Sequence, residues 1–362
     1  MKRAVRLAQQ TFLALKDPYG SVEKVYPQAI HAVERQEKVR YLGVKDMAPI
    51  PVRLLRTLRG KGFELHTLDR CSVNGRAVDM MIKNPLTGGP MTGSSSGTAV
   101  NVFLGINDLG IGTDGGGSVL APAMSLNCYG FISPLLEREH MKKHEKSSTD
   151  SLRFTPSLGF IARDLEVLEE AAQTTLGFGL SGESSGEEPP LSVVCPGWLE
   201  ERAKHFLAGG GEAEGRKTEG IVLEAGEFPP PGNEREPMIA FLKEQLPSCD
   251  MVVHYEKRID VDGLGDSILG HFDQETKALQ EKSGKYFVRA ANMAGATALC
   301  IPDGGLASGY VLMCQSEPEK IRRLFMAARR FPAVKDELVE RYFRNIDAYF
   351  PYGVMEAGLY DS

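Results

Sequence analysis

The sequence predicts an α/β protein, and three observations carry that expectation. Short apolar runs of strand length recur through the second half of the chain, at 191–195, 220–223, 251–255, 297–302 and 308–313. Helix-period stretches lie between most of them, so the two kinds of element alternate along the chain instead of segregating. Apolar residues make up 42% and charged residues 25% of 362 positions, which is enough apolar side chain for a substantial core.

Taken in order, residues 4–16 read as an amphipathic helix closed by Asp17-Pro18-Tyr19-Gly20. A second helical stretch at 29–36 leads into a short strand at 39–44 that delivers Lys45-Asp46. Residues 51–59 form a helix with Leu54, Leu55 and Leu58 on one face, and Phe63-Glu64-Leu65 is extended after the Gly60-Lys61-Gly62 break. Residues 137–151 are polar and charged. His140 and His144 stand four apart there, a spacing that can ligate a metal. With two lysines between them and no arranged carboxylates, the stretch reads as a solvated helix face. Residues 164–176 form a helix that Asp164 caps and Gly177 ends. The Gly-, Ser- and Glu-rich runs at 181–190 and 208–220 are expected to be flexible loops that do not divide the chain, which reads as one domain over 1–362. Ser316-Glu317-Pro318-Glu319 carries a capping-box pattern ahead of a helix buried through Ile321, Leu324, Phe325 and Ala328. Residues 331–362 are a C-terminal extension, whose aromatics at 342–352 pack a terminal helix or line a homodimer interface.

Composition excludes several function classes. A net charge of −6 and a pI near 5.8 argue against nucleic acid or an anionic membrane as partner. Six cysteines are scattered without a C-x-x-C pair, which suits reduced thiols in a cytoplasm and not a disulfide framework or a zinc site. No window is apolar enough for a signal peptide or a membrane span. The expectation is a cytoplasmic protein acting on a small molecule without metal or cofactor.

Glycine and serine concentrate between positions 93 and 122, in Gly93-Ser94-Ser95-Ser96-Gly97 and Gly112-Thr113-Asp114-Gly115-Gly116-Gly117-Ser118. Consecutive amides in such turns can converge on an anion. Three chemistries fit parts of this stretch. Gly110-Ile111-Gly112-Thr113-Asp114-Gly115 matches the dinucleotide pattern G-x-G-x-x-G, but it lies more than a hundred residues into the chain and lacks the downstream acid. Gly93-Ser94-Ser95-Ser96-Gly97 matches the nucleophile elbow G-x-S-x-G with Ser95 as nucleophile, which leaves the second glycine run without a task. The third reading uses both runs and a lysine. A serine is a poor nucleophile until a base takes its proton, and a lysine can be that base only when neutral, a form that burial favours. Lys45, at the end of Tyr41-Leu42-Gly43-Val44, is placed for such burial. A second serine can relay the proton, and the amides of a glycine turn can hold the oxyanion, each donor contributing roughly 2.7–4 kcal/mol.

Lys45-Asp46, Gly93-Ser94-Ser95-Ser96-Gly97 and Gly112-Thr113-Asp114-Gly115-Gly116-Gly117-Ser118, with Pro122-Ala123 behind, resemble the amidase signature family in order and spacing, including the 24 residues from Ser94 to Ser118. The resemblance continues through 155–164 and 292–313. It implies one α/β/α domain around a large mixed sheet. It also implies Ser118 as acyl-forming nucleophile, Ser94 as bridging serine on a cis peptide, and Lys45 as base. Ser95 would support the bridge, Asp114 would hold the turn, and the amides of Gly115, Gly116, Gly117 and Ser118 would form the oxyanion hole. The implied activity is hydrolysis of a carboxylic amide. The alternatives are a binding homologue without turnover and an amidotransferase subunit that works with a partner. Several features depart from the family pattern, among them Ile132-Ser133 in the usual lysine region. Ser96 stands where glycine is usual, Leu120 replaces an arginine, and the segment from Lys45 to Ser94 is short. Leu120 in that place favours small neutral amides over acidic ones.

Overall fold

The computed structural model describes residues 2–180, 189–207, 220–230, 232 and 234–350. Its centre is an eleven-stranded mixed sheet. In chain order the strands are β1 (Val22–Val25), β2 (Arg40–Lys45), β3 (Phe63–Asp69), β4 (Leu109–Asp114), β5 (Tyr129–Ser133) and β6 (Ser157–Ala162). They continue with β7 (Leu191–Pro196), β8 (Ile221–Gly226), β9 (Met251–Glu256), β10 (Thr297–Pro302) and β11 (Gly309–Cys314). Across the sheet the order is β1-β3-β2-β4-β6-β5-β10-β11-β9-β7-β8. The β3-β2-β4 and β9-β7-β8 pairings are parallel, and the block between them is antiparallel.

The apolar runs are continuous because the sheet is buried on both faces. Successive side chains of a strand point to opposite faces. Accordingly Ala298 and Cys300 enter one hydrophobic cluster while Leu299 and Ile301 enter another, and Val311 and Met313 separate from Leu312 and Cys314 in the same way. The Ser96–Phe103 and Leu120–Ser125 helices contribute to the first cluster. The Val52–Arg59, Leu165–Leu176 and Pro318–Ala328 helices cover the second. The expected α/β/α layering around a large mixed sheet is the observed one.

Several local expectations are corrected. The 29–36 stretch is a 3-10 helix, Pro27–Glu34. The apolar run at 220–223 falls on β8 (Ile221–Gly226), an edge of the sheet, and Val222 is exposed there despite its apolar character. The charged 137–151 stretch forms only a short helix, Arg138–Met141, followed by a 3-10 turn and a two-stranded ribbon. The capping box at 316–319 does not form. Glu317 is the N-cap and makes no side-chain cap bond, because Ser316 Oγ donates to the Gly295 carbonyl at 2.8 Å instead. The local pattern lost to a tertiary acceptor that no window of sequence contains.

Asp164 precedes its helix as expected but makes no side-chain cap bond, while Gly177 closes that helix in the left-handed conformation. In the C-terminal extension, Phe343 packs on Phe103 at 5.5 Å between centroids, whereas Tyr342 is exposed. The loop expected at 181–190 lies outside the described residues over 181–188, as do 208–219 of the second loop and 351–362 of the extension. The six cysteines are all free, five of them buried. Among the described residues, no helix is long and apolar enough to cross a membrane.

Candidate active site

Strands β2 and β4 run parallel, pairing Leu42 with Leu109 and Val44 with Ile111, so their C-terminal ends emerge together. Such ends are where open α/β sheets place ligands. Lys45 is the last residue of β2, and its Nζ lies 3.2 Å from Thr113 Oγ1 near the end of β4. The third contributor arrives from a hairpin, Val78–Lys83 paired with Pro90–Thr92. After Thr92 comes a cis peptide between Gly93 and Ser94, and then the Ser96–Phe103 helix. This turn sets Ser94 against the lysine: Lys45 Nζ donates to Ser94 Oγ at 2.7 Å.

Lys45 is only 1% exposed, and burial is the main cause lowering its pKa to about 8. Lys146 pushes in the same direction, while Cys71 and Asp114 oppose it. Neutral amine is therefore accessible near physiological pH, as a lysine base requires.

The cis turn is tied down on both sides. Ser72 N donates to the Ser94 carbonyl at 3.2 Å and Gly93 N to the Ala77 carbonyl at 2.9 Å. Ser96 uses its hydroxyl, donating to Asp79 Oδ2 at 2.5 Å. The other Asp79 oxygen accepts from the amides of Met81 and Ile82. The serine in the usual glycine place thus joins the helix start to the hairpin of the shortened segment.

The second glycine run turns around Asp114. Its carboxylate accepts from Gly117 N at 2.8 Å, Val119 N at 2.6 Å and Leu120 N at 3.2 Å. Burial pushes the Asp114 carboxyl up, opposed by those three amides. Gly117 has φ of +96°, a conformation that glycine adopts without strain. Asp114→Ala is expected to lower stability by roughly 2–4 kcal/mol, because three buried donors lose a charged acceptor. Urea unfolding measures it, and a loss under about 1 kcal/mol would mean that the turn holds without the carboxylate.

Two expected roles change. The Gly117 amide is engaged by Asp114 and is not a free oxyanion donor. Among the described residues the amides of Gly115, Gly116 and Ser118 have no acceptor, so they remain available. Ser95 does not support the bridge through its hydroxyl, which is buried without a hydrogen-bond partner; its amide instead donates to the Ser118 carbonyl at 3.1 Å. Complete burial also removes Ser95 as an elbow nucleophile. The G-x-G-x-x-G match fails too, since Gly110 and Gly112 lie within β4 and not at a strand-to-helix turn.

Ser94 and Ser118 share a cleft of about 340 Å³ with Thr113, Gly115 and Gly116. Ser118 is half-buried, and among the described residues no hydrogen bond joins its hydroxyl to Ser94. Leu120 faces away into the core, fully buried. His140 and His144 approach each other, with 5.0 Å between ring centroids, but His140 Nε2 is 3.0 Å from the Pro49 carbonyl oxygen. Among the described residues no cluster of three or more His, Cys, Asp or Glu could hold a metal.

Three residues at this cleft carried no assigned role in the sequence. Thr113 stands inside the second glycine run, and its contact with Lys45 follows from the parallel register of β2 and β4. Asn292 Nδ2 donates to the carbonyls of Gly115 at 3.2 Å and Thr155 at 3.1 Å, pinning the glycine turn from the distant 292–297 segment. Arg235 lines the cleft from the start of the Glu236–Gln245 helix and carried no sequence signal.

The amidase family model matches residues 83–177, which contain both glycine runs. No curated protein matches the sequence significantly. Solved structures do match the fold. A glutamyl-tRNA(Gln) amidotransferase subunit from Thermotoga maritima is 15% identical with a TM-score of 0.58, covering 90% of this chain and 91% of that one. A 6-aminohexanoate cyclic dimer hydrolase is 13% identical with a TM-score of 0.57, covering 92% and 94%. Allophanate hydrolase of Kluyveromyces lactis is 15% identical with a TM-score of 0.58, covering 90% and 69%. The segment carrying both glycine runs thus matches the amidase family model, and the whole sheet follows the fold of these solved structures.

Proposed function

We propose that this protein hydrolyses a carboxylic amide through an acyl-enzyme on Ser118. The observation that carries the reading is the buried Lys45, hydrogen-bonded to Ser94 at 2.7 Å beside a cleft that holds Ser118 and unengaged backbone amides. Ser118 Oγ attacks the amide carbonyl carbon as its proton passes to Ser94 Oγ, while the Ser94 proton passes to neutral Lys45 Nζ. The amides of Gly115, Gly116 and Ser118 stabilise the oxyanion. The C–N bond then breaks, and the leaving amine takes the proton back from Lys45 through Ser94. Water, deprotonated by the same route, attacks the acyl carbon, releases the carboxylic acid and returns the proton to Ser118. Each step needs only groups of the chain, the substrate and water. Among the described residues no hydrogen bond joins the hydroxyls of Ser94 and Ser118, and catalytic contacts of this kind tighten in the complex with substrate.

A fluorophosphonate probe tests the assignment. Labelling should map to Ser118 by peptide mass spectrometry, disappear in Ser118→Ala and persist in Ser95→Ala. Undiminished labelling of Ser118→Ala would place the nucleophile elsewhere. A wild-type protein that neither labels nor turns over any amide would be a binding homologue instead.

A further inference from the structure

We propose that Arg235 selects the substrate by binding a carboxylate, so that the site takes short amides carrying an anionic group. The inference rests on the acyl-transfer reading for the location of the scissile amide. A Cβ placed on Gly116 would lie 2.7 Å from Arg235 Nη1, so the guanidinium covers the glycine turn that supplies the oxyanion donors. Its stem is held in place, with the side chain 11% exposed and Nε paired with Asp150 at 3.0 Å. The outer fork is little used. Nη1 reaches Met293 Sδ at 3.8 Å, and among the described residues no other carboxylate or carbonyl accepts from it. A planar fork with free donors at the wall of a cleft is matched geometrically by a carboxylate.

The charge around Arg235 favours an anion as well. Arg289 lies close behind it, buried, with Nη2 on the Gly232 carbonyl at 2.9 Å and Nε without a partner. Burial, followed by the repulsion of Arg235, holds the Arg289 pKa down to about 10. The nearby Glu256 accepts from the amides of Tyr286 and Phe287. Lys146 also lines the cleft and, among the described residues, has no ion-pair partner. Arg76, by contrast, is neutralised by Asp266 at 2.8 Å. Arg235, Arg289 and Lys146 therefore face two carboxylates, Asp150 and Glu256, and the wall keeps an excess of positive charge. The proposal runs opposite to the preference for neutral amides drawn from Leu120, because cationic groups reach the cleft from distant segments of the chain. The cleft's volume of about 340 Å³ limits the substrate to a small molecule.

The test compares succinamate with its uncharged analogue succinamide, binding to Ser118→Ala protein, which cannot form the acyl-enzyme. Calorimetry should show succinamate binding about 10- to 100-fold more tightly. The preference should vanish in the Ser118→Ala, Arg235→Gln double variant, survive in part with Arg235→Lys, and shrink with added salt. A merely structural role for Arg235 would weaken both ligands alike. Equal affinities, including no detectable binding of either ligand, overturn the proposal, as does a preference that outlasts Arg235→Gln. If the double variant fails to fold, the Arg235→Lys protein and the salt dependence of the parent decide in the same sense. A wild-type protein that takes no fluorophosphonate label at Ser118 while the preference stays intact would remove Ser118 as nucleophile and leave Arg235 standing. Labelling on Ser118 without any preference would do the opposite.

Discussion

Ser118→Ala is expected to lower amide turnover by roughly 10⁴- to 10⁶-fold, the scale on which removing the nucleophile of a hydrolytic triad acts. The loss falls on kcat, because covalent attack has no substitute in the cleft once the hydroxyl is gone. Fully buried Ser95 cannot replace it, and Ser94 is held against Lys45. Stability should be almost unaffected, within about 0.5 kcal/mol by urea unfolding. Among the described residues the Ser118 hydroxyl has no hydrogen bond to lose, and the backbone contact from Ser95 N to Ser118 O survives the substitution. Single-turnover and steady-state rates with the best amide substrate check the first value. Retention of more than about 1% of turnover would exclude Ser118 as nucleophile.

The second large effect is the dependence of rate on Lys45 and on pH. Only the unprotonated amine can accept a proton, and its pKa is lowered to about 8 by burial. Accordingly kcat/KM should rise with pH, about tenfold per pH unit well below 8, and level off above it. Lys45→Met keeps an unbranched apolar stem of comparable volume and removes the base. It should reduce kcat/KM by roughly 10²- to 10⁴-fold and abolish the rising limb. A pH–rate profile of wild type and variant reads both effects at once. A limb that persists in Lys45→Met would assign the titration to another group, and a flat wild-type profile through about pH 6–9 would remove lysine from the proton path. The lysine variant also leaves Ser94 and Thr113 without their shared donor, so its stability is to be measured alongside its rate.

Much of the site was legible because its residues cluster in two short runs and one strand end. Ser94, Asp114 and Ser118 lie in glycine-rich turns whose composition betrays them, and Lys45 ends an apolar strand. The sheet was legible for a similar reason: strands buried on both faces stay apolar throughout, and β10 and β11 show this plainly. Less visible were assignments that depend on competition for partners. Gly117 and Gly116 look alike in sequence, yet the Asp114 carboxylate takes only the first amide. Ser95 and Ser96 are adjacent and chemically identical, but only Ser96 finds an acceptor, Asp79 on the hairpin.

The sequence by itself determined the α/β class, the strand that delivers Lys45, and the two turns that carry Ser94 and Ser118. These are encoded in apolar runs and glycine positions, which act over a few residues. Only the tertiary structure decided that Lys45 is buried against Ser94 and Thr113, that Asn292 pins the Gly115 carbonyl, and that Arg235 covers Gly116. Desolvation, hydrogen-bond choice and local charge are sums over groups brought together from remote segments, so no stretch of the chain contains them before it folds.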